Sequence, residues 1–356
     1  MLVNLQPLNT QLTRLQEIPT TFFQNIEAAT AFGDTLFPAW TDTAFAGTDL
    51  KTKFKTIYDK YKLIADPLER AKVINAFTHN NQIENLCRNQ AGVVSIPLVE
   101  LHSSIRNEID TTFIYLYKTA INHNGFTDFV ADNLRDAIDR FIASNTMQVC
   151  PICGLEGYMN LEGQARIALD HWLCIDIFPV TAVNFRNLFP LGEKCNGRPA
   201  KGNTNILLDG HGNRTVAFYP FINHQSVSTT FIYNNEPTIT PLTDADWALS
   251  IIPVNAAEQN LLDSWNSIFN ILIRYRDYFR KYIFTMWEKN YKRFIEESGI
   301  GHAGNVAELR AKFGIWRATF QLNSSIGAIL YRAFIDNMIN NSSEAYLFSL
   351  CENFRR

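Results

Sequence analysis

The stretch ALDHWLCIDIFP, Ala168–Pro179, opens apolar and then sets an acid beside a histidine, Asp170-His171, near the middle of the chain. Two readings compete for it: a surface turn, or a site that handles a metal ion and a proton. The residues on either side decide between them. Upstream lies Cys150-Pro-Ile-Cys153, the spacing at which two thiolates reach one tetrahedral zinc. Downstream lies NFRNLFPLGEKCNGRPAKG, which carries Asn187, Cys195, Asn196, Arg198 and Lys201. Carboxylate and amide oxygens suit a hard ion such as Mg²⁺ or Mn²⁺. An imidazole that titrates near neutrality suits a general base.

Further outward the texture changes twice. Residues 20–146 show helical spacing, as in LKTKFKTIYDKYKLIADPLERAKVINAF, where Phe54, Ile57, Tyr58 and Tyr61 recur at three- and four-residue intervals. TDFVADNLRDAIDRFIAS continues that pattern, with Thr127 as its expected N-cap. From 147 to 242 Gly, Pro, Asn and Cys become dense. There NILLDGHGNRTVAFYPF reads as a hairpin and STTFIYNN as a strand. From 243 to 356 helices return, beginning with a long one capped at Asn255. The expected fold is therefore α+β: a small module at 147–242 between helical regions at 1–146 and 243–356.

With 356 residues, 46% hydrophobic and 13% aromatic, the chain is long and apolar enough to bury substantial cores. A net charge of −3 excludes wholesale basic binding of nucleic acid, so any such contact is local. No run of 18 apolar residues occurs, and the opening MLVNLQPLNTQLTRLQEIP lacks the pattern of a signal peptide. The expected location is cytoplasmic, where six cysteines speak for metal binding or redox chemistry rather than a disulfide scaffold. Locally, Arg186–Arg214 carries five basic against two acidic residues, and Arg274–Arg293 seven against two. Tyr275, Tyr278, Tyr282, Trp287 and Tyr291 are interleaved with the second group. That is either a phosphate track with stacking aromatics or a helix with a core-facing aromatic stripe and a solvated basic face.

Cys-x-x-Cys, Asp-His, Phe-Pro, Asn-Leu-x-Pro and then Cys-Asn, in this order over residues 150 to 204, resembles the HNH endonucleases of the His-Me finger superfamily. The resemblance implies a ββα-metal module that hydrolyses phosphodiesters. It gives Asp170 and Asn196 to a divalent ion, Mg²⁺ or Mn²⁺, His171 the role of general base, and Asn187 the bracing of the loop. Lys201 or Arg198 would contact phosphate, and Cys150, Cys153 and Cys195 would hold a structural Zn²⁺. The family's remaining cysteine falls on Gly192, so a fourth zinc ligand must come from elsewhere, with Cys174 and His211 as candidates. HNH modules with large helical additions also resemble nuclease subunits of bacterial antiphage systems of the Septu type. That implies nucleic acid as substrate and an ATPase as partner, since this chain has no Gly-x-x-x-x-Gly-Lys-Ser/Thr loop of its own. The alternative is a degenerate zinc knuckle that binds nucleic acid or protein without catalysis.

Overall fold

A computed structural model of the chain describes residues 5–146, 148–157, 169–221, 227–233, 247–322 and 324–355. Among the described residues the architecture is α+β, mainly helical, with two small antiparallel sheets. Ala168 of the opening stretch, His224, and Asn234 and Asn235 of the expected strand lie outside the described residues.

The N-terminal helices follow from local sequence. Leu50–Leu63 buries Leu50, Phe54, Ile57, Tyr58 and Tyr61, one stripe at helical spacing. Pro67 opens the helix Pro67–Asn80, where its missing N–H costs nothing, and the Asp66 carboxylate accepts from the Leu68 N–H at 2.8 Å. Ser103–Lys118 buries Ile105, Ile109, Phe113 and Leu116 and packs against the turn Pro179–Thr181. The expected helix capped by Thr127 is two helices, Asn124–Val130 and Leu134–Asn145. Ala131 turns left-handed (φ 52°) between them, and the cap of the second is Asn133, whose side chain accepts from the Asp136 N–H at 3.0 Å. The Asn133 amide also donates to the Asp136 carboxylate at 2.8 Å, while Thr127 lies within the first helix, its hydroxyl donating to the Asn124 carbonyl at 3.1 Å.

In the middle region β1 (Leu169–His171) pairs with β2 (Leu188–Pro190), placing Asp170 opposite Phe189 and His171 opposite Leu188. The helical turn Glu193–Asn196 follows directly. Asn196 ends this single turn; Gly197 and Pro199 beyond it discourage continuation. The expected hairpin around Gly210 is one bridge, Leu208 with Arg214. β3 (Val227–Tyr233) pairs with β4 (Trp247–Pro253), with Phe231 opposite Leu249.

The long C-terminal helix is interrupted. Asn255 caps its start, accepting from the Ala257 N–H at 3.1 Å. Asn270 then adopts a left-handed conformation (φ 52°) between Gln259–Phe269 and Ile271–Tyr278. A wider turn over Phe279–Ile283 leads into Phe284–Ser298. Tyr275, Trp287 and Tyr291 are buried, so three of the five interleaved aromatics belong to the core and not to a stacking surface.

A continuous apolar core joins the three regions. Trp172, fully buried, lies between Phe189 and Phe218 of the middle region and Phe269 of the C-terminal helices. On the N-terminal side, Leu98 donates to Ile177 and Leu5 to Pro220, through backbone bonds of 2.9 and 2.8 Å. Among the described residues no helix is long and apolar enough to cross a membrane.

Candidate functional site

Two constellations form in the middle region. The first is built on β1. Asp170 and His171 are strand neighbours, so their side chains leave on opposite faces. His171 is 7% exposed and lies edge-on to the Tyr117 ring, centroids 4.3 Å apart. Its Nε2 is 2.9 Å from the Ala182 carbonyl. A carbonyl only accepts, so Nε2 carries the hydrogen and Nδ1 keeps the lone pair. Burial, reinforced by the Lys201 charge, lowers its pKa to about 4 despite that hydrogen bond, and the ring is neutral at pH 7.

Asn187 holds the loop that presents Ala182. Fully buried, its Oδ1 accepts from the Leu173 N–H at 2.7 Å. Its Nδ2 donates to the Leu173 carbonyl at 3.1 Å and to the Thr181 hydroxyl at 2.8 Å. One amide therefore ties both ends of the β1–β2 connection to its middle.

Lys201 is 1% exposed. Its ammonium lies 2.7 Å from Asp170 Oδ2 and donates to the His171 carbonyl at 2.7 Å. Burial raises the Asp170 pKa and Lys201 opposes that rise. Lys201 thus faces inward as the counter-charge of the acid and not outward toward solvent. Arg198 is exposed. Asn196 is partly buried, and its side chain makes no hydrogen bond among the described residues.

The second constellation gathers Cys150, Cys153, Glu156 and Cys195, whose ligand atoms all lie within 4.8 Å of one another, an arrangement able to hold a metal ion. Gly154, left-handed at φ 64°, lets the chain double back after Cys153. The Cys150 N–H then bonds the Glu156 carbonyl at 2.8 Å, and the Gly154 N–H the Cys150 carbonyl at 2.8 Å. Backbone N–H groups of Leu155 and Gly192 point at the sulfurs of Cys153 and Cys150, each at 3.4 Å. Hydrogen bonds from Cys150 and Cys195 hold the Cys153 thiol well below its ordinary pKa, and Arg274 adds to the effect.

Neither expected fourth ligand takes part. Cys174 is buried in the loop after β1, where its carbonyl closes the turn to Phe178, and His211 is exposed in the turn Asp209–Asn213. Neither belongs to the cluster. The fourth position is Glu156. Its signal was present, since Glu156 follows Cys153 at the interval that separates Cys153 from Cys150. Arg274, 121 residues from Cys153, had none; its guanidinium donates to the sulfurs of Cys195 at 3.1 Å and Cys153 at 3.4 Å.

No protein-family model, curated protein or solved structure matches the chain.

Proposed function

We propose that the chain is an HNH-type endonuclease that hydrolyses phosphodiester bonds in nucleic acid, with His171 as general base. The observation that carries the reading is the state of that imidazole: neutral, with Nε2–H committed to Ala182 and the Nδ1 lone pair without a partner among the described residues. In this role Nδ1 takes a proton from water. The water oxygen forms the new P–O bond, one ester P–O bond breaks, and the leaving oxygen is protonated from solvent. Asn187 positions the base through its loop, Lys201 fixes Asp170 and the His171 carbonyl, and exposed Arg198 meets phosphate.

The Mg²⁺ or Mn²⁺ implied by the resemblance would be held by Asp170 and Asn196, and when bound would supply Lewis-acid stabilisation of phosphate charge. As arranged, the donor set does not fit such an ion, because Lys201 already occupies Asp170. Zn²⁺ in the cysteine cluster would be structural. The antiphage setting and an ATPase partner belong to the same reading.

A second reading has its own observation. The ion pair of Asp170 with Lys201 and the 7% exposure of His171 favour a non-catalytic platform built on the knuckle. The two are separated by incubating the protein with plasmid DNA and total tRNA, with Mg²⁺, Mn²⁺ or EDTA, beside His171→Ala. Cleavage lost in the variant supports the nuclease. Binding without cleavage in any arm supports the platform.

A further inference from the structure

We propose that Glu156 stands in for the ligand missing at Gly192 and completes a Cys₃Glu zinc site, with Arg274 as the outer cation that ties the C-terminal helices to it. A Cβ placed on Gly192 would lie 2.3 Å from Glu156 Cδ and 2.3 Å from Oε1. The carboxylate therefore fills the space that a side chain at 192 would use. The Gly192 backbone, φ −66° and ψ 149°, is open to any residue, so what a side chain at 192 would meet is the Glu156 carboxylate and not a conformational barrier.

The carboxylate is also aimed. Its Oε2 accepts from the Lys194 N–H at 3.1 Å, and its Oε1 lies 3.8 Å from Cys153 Sγ. Zinc with sulfurs at ~2.3 Å and an oxygen at ~2.1 Å separates tetrahedral ligand atoms by about 3.6–3.8 Å. Three soft thiolates and one hard oxygen suit zinc better than Mg²⁺ or Ca²⁺. The N–H groups of Leu155 and Gly192 are the outer donors that such sulfurs accept.

Charge balance explains Arg274. Three thiolates and a carboxylate around Zn²⁺ leave a net negative complex. The Arg274 guanidinium touches two of the sulfurs and lies 3.6 Å from Glu156 Oε1. The same helices grip the knuckle backbone. The Trp265 indole N–H donates to the Ile152 carbonyl at 3.1 Å, and the Tyr275 hydroxyl to the Cys153 carbonyl at 3.0 Å. Loading the metal thus holds residues 259–278 onto the module, independently of whether the Asp170-His171 site cleaves anything.

The test uses the full chain and no nuclease readout. Metal analysis of the purified protein is expected to give one zinc per chain, and Co²⁺ substitution a thiolate charge-transfer band with tetrahedral d–d transitions. Glu156→Ala lowers zinc affinity at least ~10-fold, no less than loss of an outer-shell partner costs at the low end. Combining Glu156→Ala with Gly192→Cys restores the affinity and shifts the Co²⁺ spectrum toward four thiolates, which a merely misfolded variant cannot do. Stripping zinc speeds hydrogen exchange at residues 259–278. A chain that takes up no zinc, or a Glu156→Ala protein with unchanged affinity and spectrum, overturns the site. A double variant that fails to recover affinity overturns the replacement of 192. Unchanged exchange at 259–278 after stripping overturns the tie through Arg274.

Discussion

Lowering the pH tests the state of His171 directly. The imidazole is neutral in the folded protein, with its pKa depressed from 6.5 to about 4, chiefly by burial. The unfolded chain binds a proton near 6.5, so between these values it binds more protons than the folded one. Stability therefore rises with pH across this window. The contribution is complete above about pH 7 and falls as pH drops from 6.5 toward 4. The full displacement corresponds to about 3 kcal/mol, of which about 2 kcal/mol is lost by about pH 5. Other groups also change charge as pH falls, and burial raises the pKa of Asp170 beside His171. The measurement is therefore a difference: urea unfolding of the wild type and of His171→Gln at intervals from about pH 7.5 to about pH 4.5. The two stabilities converge as pH falls, by about 2.5 kcal/mol at the lower end of the range. Curves that run parallel would show that His171 takes up a proton in the fold as readily as in the unfolded chain, and the depression of its pKa by burial would be refuted.

Other outcomes follow from the same contacts. Lys201→Met leaves Asp170 buried without its partner and costs about 3 kcal/mol in chemical denaturation, whereas adding Asp170→Asn recovers most of it; equal losses in both proteins would refute the pairing. Asn187→Ala strands the Leu173 N–H and carbonyl and the Thr181 hydroxyl in the interior, a loss of roughly 2–4 kcal/mol readable as a lowered urea midpoint. Asp66→Ala removes only a helix cap and costs about 1 kcal/mol; a larger loss would mean that Asp66 has a tertiary role. Zinc raises the melting temperature in proportion to the logarithm of its free concentration, and about 100 times the Kd adds ~2.7 kcal/mol, a dependence that Cys195→Ala abolishes.

Much of the candidate site was legible because its parts are chemically distinctive at short range. Cys150, Cys153, Asp170, His171 and Asn187 announce themselves by type and order, and the structure assembles three of the cysteines with one another. Glu156 was harder to see, since a carboxylate near two cysteines is ordinary until the backbone brings Gly192 against it. The resemblance gave Lys201 to phosphate, a role that needs the ammonium at the surface, where lysines usually lie. Only packing revealed that it is inside, on Asp170.

The division has a physical basis. Helical stripes such as Phe54, Ile57, Tyr58 and Tyr61, and stops and starts such as Asp66-Pro67, depend on neighbours within a turn or two, so the sequence alone determines them. The breaks at Ala131 and Asn270 depend on where flanking helices must point to join one core, and tertiary packing decided those. The same holds for the protonation of His171, set by the Ala182 carbonyl and by burial, and for Arg274, brought to the thiols across 121 residues. Local periodicity is written in the chain; desolvation, counter-charge and ligand geometry exist only once distant segments share the same few ångströms.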